Sequence, residues 1–133
     1  MFSHITIGVN DLDASMAFYD AVMAVLGYDR HSEGESFAGY GPAGNSEFGT
    51  NSLWILKPHN GERASGGNGT NIALIAPDRK CVREFHRVAL QMGGKDDGRP
   101  GIREEAHLNF YAGYIVDLDG NKLVVVCHAE QSA

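Results

Sequence analysis

Residues 4–29, HITIGVNDLDASMAFYDAVMAVLGYD, decide the fold, because residues 71–96, NIALIAPDRKCVREFHRVALQMGGKD, repeat their pattern without a gap. The two stretches lie 67 positions apart. The identical pairs are Ile5/Ile72, Asp11/Asp78, Phe18/Phe85, Gly27/Gly94 and Asp29/Asp96. Similarity at a fixed spacing is the signature of an internally repeated fold. The chain is therefore predicted to contain two copies of one structural unit.

Each copy is predicted to begin with a strand and a helix. In the first copy, apolar residues alternate along residues 5–9, which is typical of a half-buried strand. Asp11 is placed to cap a helix, and Gly27 is placed to end it. The apolar residues between them fall at helical spacing: Leu12, Met16, Tyr19, Met23 and Leu26. The second copy repeats this order with Ile72, Leu74, Asp78, Val82, Phe85, Ala89 and Met92 before Gly93.

The remainder of each half is predicted to be β-structure. The predicted strands are residues 36–41, 52–57, 110–116 and 122–127. Asp117-Leu118-Asp119-Gly120-Asn121, between the last two, is typical of a hairpin turn. The segments without a strand pattern are interpreted as loops: Arg30–Glu35, Gly41–Asn51 and Lys95–His107. The glycine-rich stretch Pro58–Thr70 is interpreted as a flexible connection.

The predicted fold class is α+β, with two pseudo-symmetric βαβββ modules forming a cup-shaped mixed sheet and the helices outside. We place module 1 at about 1–58, the linker at 59–70 and module 2 at about 71–133, all within a single domain. One helix covers only one face of a four-stranded sheet, so the other faces must meet each other or a ligand. The functional site is expected in that hollow.

The charge composition limits the classes of molecule that the protein is expected to bind. The 133 residues include seventeen acids and eleven bases, which gives a net charge of −6. Without a Lys/Arg cluster in the sequence, we expect no binding to nucleic acid or to membranes. A neutral or cationic small organic molecule is the expected partner. Two cysteines, Cys81 and Cys127, are too few for a disulfide framework, and the start lacks the features of a signal peptide, so a cytoplasmic location is expected.

The sequence resembles the vicinal oxygen chelate superfamily, also called the glyoxalase/bleomycin resistance/dioxygenase superfamily. The resemblance rests on the opening His4–Asp11, the Phe18-Tyr19 pair, Gly27-Tyr28, and residues 117–121 with the last strand. It covers essentially the whole chain. In this family the paired modules surround a divalent metal ion, and the resemblance implies a homodimer.

Carried over to this sequence, the family's four metal-ligand positions are His4, Ile55, Asn71 and Val124. Only His4 is a competent ligand, because isoleucine and valine have no donor atom and asparagine is a weak neutral donor. We therefore predict no cofactor and no divalent metal at the family site. This expectation disfavours lactoylglutathione lyase and extradiol dioxygenase chemistry, which depend on the metal.

The alternation of side chains along strands then predicts the surface of the hollow. Its floor is expected to contain His4, Tyr40, Ile55, Asn71, Tyr114 and Val124, with Phe110 and His128 at the rim. Tyr40 is placed by the repeated Ala-Gly-Tyr triplet, and Trp54 is expected to face away from the floor. This set resembles the lining of a small-molecule pocket.

Several alternatives remain open. His4 and Asn71 could bond to each other across the pseudo-twofold axis instead of contacting a ligand. His4 and His107 are candidate acid–base catalysts, and His107 and His128 could form a metal site outside the family pattern. The predicted function is a metal-free small-molecule pocket. The alternatives are a glyoxalase-type lyase or isomerase using His4 or His107, and a non-catalytic interaction domain.

Overall fold

The computed structural model describes residues 1–45 and 47–130. The elements, in chain order, are β1 (His4–Gly8), α1 (Leu12–Val25), β2 (Asp29–Glu33), β3 (Phe37–Gly41), β4 (Ser52–Leu56), β5 (Ile72–Ile75), α2 (Arg79–Gln91), β6 (Lys95–Ile102), β7 (Tyr111–Val116) and β8 (Lys122–Cys127). Each half therefore follows the order βαβββ. The predicted fold class is confirmed.

Aspartates cap both helices, as the repeat predicts. Asp11 accepts a hydrogen bond from the backbone N–H of Ala14 at 3.0 Å, and Asp78 accepts one from that of Cys81 at 2.8 Å. Each carboxylate satisfies a donor that the first helical turn leaves without a partner. Gly27 follows α1 with φ of +84°, a conformation that glycine adopts without strain.

The two halves form two mixed four-stranded sheets with the same topology. The strand orders are β1-β4-β3-β2 and β5-β8-β7-β6. In each sheet the first strand runs parallel to the last strand of its half, and the other neighbours are antiparallel. The two halves of the sequence repeat therefore fold into sheets with the same strand order.

Strands β2 and β6 correct the prediction of loops at 30–35 and 95–107. Their sequences, DRHSE and KDDGRPGI, lack apolar alternation and are rich in charged residues. Both lie at the outer edge of a sheet, and the register of each is interrupted by an irregularity. Charged residues, proline and bulges are common at sheet edges, where they discourage pairing with other chains. An apolar pattern therefore cannot reveal such strands.

One continuous core joins the two modules. It contains α1 residues such as Phe18 and Val22, α2 residues such as Phe85, and inward-facing residues of both sheets such as Ile55 and Val125. Each sheet therefore has one face buried under the helices and one face turned away from them, which we call its outer face. Within the described residues, no helix is long and apolar enough to cross a membrane.

The connection between the modules is fixed to them, which corrects the prediction of a flexible linker. Ala64 is buried, and its backbone N–H donates to the Asn10 side chain at 2.7 Å. Gly66 lies against the backbone of Gly120, so closely that a Cβ atom there would overlap it. The glycines of this segment therefore allow close backbone contact.

Candidate functional site

The outer face of the first sheet is centred on Trp54, the only tryptophan of the chain. Trp54 pairs with Thr6 on β1 and with Gly39 on β3. Its indole N–H donates to the carbonyl of Gly49 at 3.2 Å, and its ring centre lies 6.0 Å from that of Phe37. These contacts hold the indole ring in one orientation.

Gly39 provides the space that the indole ring occupies. A Cβ atom at Gly39 would lie 2.5 Å from Cζ3 of Trp54. In the second sheet the large and the small side chain exchange strands. Tyr114 is at the position equivalent to Gly39, and Val124 is at the position equivalent to Trp54. At this pair of facing positions, the large aromatic ring is therefore on β4 in the first sheet and on β7 in the second.

A pocket of about 420 Å³ opens on the outer face of the first sheet. Its described lining combines four apolar side chains with five polar ones: His4, Thr6, Ser36, Phe37, Phe48, Trp54, Leu56, Lys57 and His59. The polar groups include two imidazoles and one ammonium group, and no carboxylate is among the described lining side chains. We call this the Trp54 pocket. Its size and composition are typical of sites for small organic molecules.

A hydrogen bond between His31 and Ser52 positions the His31 imidazole beside the Trp54 ring. The Ser52 hydroxyl donates to the Thr50 carbonyl at 2.9 Å, so it must accept from Nε2 of His31, which lies 2.9 Å away. The imidazole then meets the indole edge-on, with ring centres 5.4 Å apart. His31 therefore packs against the Trp54 ring.

Placement of Tyr40 and Ile55 on the floor is wrong. Both are fully buried in the core beneath α1. The Tyr40 hydroxyl donates to Oδ1 of Asp20 at 2.8 Å, and burial, followed by this carboxylate, raises the pKa of the hydroxyl. Tyr40 therefore acts as a hydrogen-bond donor inside the protein and does not face the hollow.

The error is a register slip of one residue. Thr6 and Ala73 match across the 67-residue repeat, and they pair with Trp54 and Val124 respectively. Trp54, and not Ile55, is thus the equivalent of Val124, and the repeated Ala-Gly-Tyr triplet does not mark equivalent positions. A slip of one residue exchanges the two faces of a strand. The prediction that Trp54 faces away from the hollow is wrong for the same reason.

The outer face of the second sheet has the predicted pairs. Tyr114 lies opposite Val124 and Ala112 opposite Val126, and Phe110 packs against the same small apolar cluster. At one end of this outer face, Nε2 of His107 lies 2.8 Å from Nδ1 of His128. The Phe110 ring contacts both imidazole rings edge-on. The structure therefore brings Phe110, His107 and His128 together.

Hydrogen bonds indicate which ring nitrogen of neutral His107 carries the proton. Nδ1 of His107 accepts from the backbone N–H of Asn109 at 3.0 Å, so it carries no proton. The proton of His107 is therefore on Nε2 and is donated to His128. Both ring nitrogens of His107 are therefore engaged in hydrogen bonds within the protein.

His4 and Asn71 lie at the start of β1 and just before β5, and both are exposed. Nδ1 of His4 lies 2.9 Å from the Ser3 hydroxyl. In the part of the chain that the structure describes, no hydrogen bond joins His4 to Asn71, so their proposed link is not found. His4 instead lines both the Trp54 pocket and a crevice of about 270 Å³ between β1 and β5.

Comparison with known proteins identifies the family. Residues 1–125 match the Glyoxalase/Bleomycin resistance protein/Dioxygenase superfamily. A glyoxalase/bleomycin resistance protein from Albidiferax ferrireducens is 32% identical with a TM-score of 0.84, over 97% of this chain and 99% of that one. The chain belongs to the Glyoxalase/Bleomycin resistance protein/Dioxygenase superfamily.

Two further structures share the fold. A glyoxalase/bleomycin resistance protein/dioxygenase family enzyme from Burkholderia phytofirmans is 17% identical with a TM-score of 0.72, over 96% of this chain and 98% of that one. A glyoxalase I mutant from Zea mays is 24% identical with a TM-score of 0.73, over 95% of this chain and 46% of that one. No curated protein matches the chain.

The side chains at the family's metal positions do not fit a metal ion. With the register corrected, these positions hold His4, Trp54, Asn71 and Val124. The indole N–H of Trp54 is a donor, so it offers no lone pair, and valine has no donor atom. Among residues 1–45 and 47–130, no three His, Cys, Asp or Glu side chains are grouped to hold a metal ion.

Proposed function

We propose that the chain binds a neutral small organic molecule in the Trp54 pocket without a metal ion. One observation carries this proposal: at the position where the family places a metal ligand on β4, this chain has a fixed indole ring beside an open pocket. An aromatic face attracts flat or apolar guests through packing and apolar burial, which needs no cation.

The charges around the pocket favour a neutral guest over a cationic one. The net charge of −6 describes the whole chain, whereas the ionisable groups that line the pocket are His4, Lys57 and His59. A cation would meet an ammonium group with no lining carboxylate to offset it. Composition alone allows a neutral or a cationic ligand, and the neutral class therefore fits the Trp54 pocket better.

Binding can be followed through the single indole N–H signal in a ¹H–¹⁵N NMR spectrum. We expect 2-naphthol to shift this signal, and Phe48→Ala to weaken binding about five- to tenfold, since an aromatic contact is worth about 1 kcal/mol. Leu118→Ala removes another exposed apolar side chain away from the pocket and should bind as the wild type does. An unmoved indole signal, or equal weakening in both variants, would contradict the proposal.

A competing function is a glyoxalase-type lyase or isomerase with His4 as the acid or base, since Nε2 of His4 has no partner in the described structure and His4 lines the pocket. We expect calorimetric titration with Zn²⁺, Ni²⁺ or Mn²⁺ to give no tight stoichiometric binding that depends on His4. We also expect no turnover of methylglyoxal and glutathione, with or without nickel or zinc. Binding or turnover lost in His4→Ala but kept in His128→Ala would replace the binding proposal with the enzymatic one.

We also propose that the protein is a cytoplasmic homodimer. Strands β1, β2, β5 and β6 each have one edge that pairs with no other strand in the described residues. Unpaired strand edges like these commonly form symmetric interfaces between two copies of one chain. A monomer in sedimentation equilibrium at micromolar concentration would exclude the dimer without affecting the pocket.

A further inference from the structure

Four arginines meet in an open cleft between α2 and β6, on a different surface from the Trp54 pocket. Arg83 and Arg87 come from α2, while Arg99 lies on β6 and Arg103 follows it directly. The cleft measures about 790 Å³, and its other lining residues are His86, Leu90, Pro100 and Tyr111. No carboxylate is among the lining residues that the structure describes. We call it the arginine cleft.

Among the described residues, three of these four guanidinium groups have no carboxylate partner. Arg87 pairs with Glu84 on its own helix. Arg83 instead donates to the Tyr111 hydroxyl at 3.4 Å, and Arg103 donates to the carbonyl of Arg99 at 2.6 Å. In the part of the chain that the structure describes, Arg83, Arg99 and Arg103 form no ion pair with a carboxylate.

This arrangement is unusual for a chain with seventeen acidic residues and a net charge of −6. Like charges in one cleft repel each other, so an unpaired group of guanidiniums is stabilised when an anion enters. The guanidinium fork donates two parallel hydrogen bonds to phosphate or carboxylate oxygens, and such charge-assisted bonds are stronger than neutral ones.

We propose that the arginine cleft binds a small molecule carrying a multiply charged phosphate or carboxylate group. Its volume lies within the range typical of small-molecule sites. The Tyr111 hydroxyl, already a partner of Arg83, adds a neutral hydrogen-bonding group to the floor.

The surroundings favour a compact ligand over a long polyanion. Asp96 and Asp97 lie on the same strand as Arg99, and Glu104 and Glu105 follow Arg103. Asp96 bonds to His86 of the lining and Asp97 pairs with Lys122. Glu104 and Glu105 are exposed carboxylates directly after Arg103, so they would repel a nucleic acid that extends beyond the cleft on that side.

Calorimetry at low ionic strength with pyrophosphate and with citrate tests the proposal and separates the two anion chemistries. At least one of these probes should bind, and Arg83→Ala and Arg99→Ala should each weaken binding about tenfold, the expected cost of a charge-assisted hydrogen bond. Arg83→Lys keeps the charge but loses the fork, so it should fall between the wild type and Arg83→Ala. All four arginines lie at or near the surface, and circular dichroism checks that each variant is folded.

Arg63→Ala is the matched control. Arg63 is exposed and lies in the connection between the modules, and its substitution changes the net charge by the same amount. It should bind both probes as the wild type does. Equal weakening in this control, or no binding of either probe to the wild type, would overturn the proposal. Duplex DNA that binds more tightly than either probe through the same arginines would also overturn it, in favour of a nucleic-acid site.

Discussion

Replacing Asp117 with alanine should lower the free energy of unfolding by about 4 kcal/mol, since it leaves two buried side-chain donors without an acceptor and each such loss costs about 1–3 kcal/mol. Asp117 is only 4% exposed. One carboxylate oxygen accepts from the Tyr19 hydroxyl at 2.6 Å and from the Asn121 side chain at 2.9 Å. The other accepts from the backbone N–H groups of Asp119 and Asn121, each at 2.9 Å.

The loss would separate α1 from the β7–β8 hairpin, which belong to different modules. Burial, followed by the charge of Asp117, raises the pKa of Tyr19 well above its usual value, so the hydroxyl stays a donor. Without the carboxylate, this hydroxyl and the Asn121 amide would be buried with an unmet hydrogen bond. Urea unfolding followed by circular dichroism measures the change.

Asp29→Ala is the control for Asp117→Ala, because Asp29 is exposed at the start of β2. It should change the stability by less than about 0.5 kcal/mol, as surface substitutions usually do. A loss below about 1 kcal/mol in Asp117→Ala would mean that this network does not hold the two modules together.

Gly66→Ala should cost about 3 kcal/mol of stability, at the upper end of the penalty for adding a methyl group where no space exists. The new Cβ atom would overlap the carbonyl group of Gly120, and backbone on both sides cannot move as a flexible side chain could. The hairpin turn would shift, and with it the contact of the Asn121 side chain with the Gly8 carbonyl at 2.9 Å. Thermal unfolding gives the size of the effect.

Gly44→Ala is the matched control for this substitution. A Cβ atom at Gly44 would meet nothing within 4 Å, and its backbone is outside the positive-φ region. Its midpoint of unfolding should stay near that of the wild type. If both alanine variants unfold alike, the contact between Gly66 and Gly120 is looser than the structure indicates.

The second half of the candidate site could be predicted from sequence, whereas the first half could not. In the second half, residues 117–121 define a tight turn, and the turn fixes which residues of β7 and β8 face each other. In the first half, a longer connection joins β3 to β4, so no turn sets the register. The repeated triplet, which places Tyr40, does not mark equivalent positions, and the family resemblance, which places Ile55, is one residue out of register there. The pairing of β1 with β4 would have identified Trp54.

The sequence by itself determined the two βαβββ modules and the capped helices. These features are local or periodic, so neighbouring residues along the chain specify them. Only the tertiary structure decided that Trp54 faces outward and that Arg99 and Arg103 lie beside Arg83 and Arg87. Such contacts depend on register and on the placement of edge strands, whose polar residues carry no pattern that predicts their neighbours.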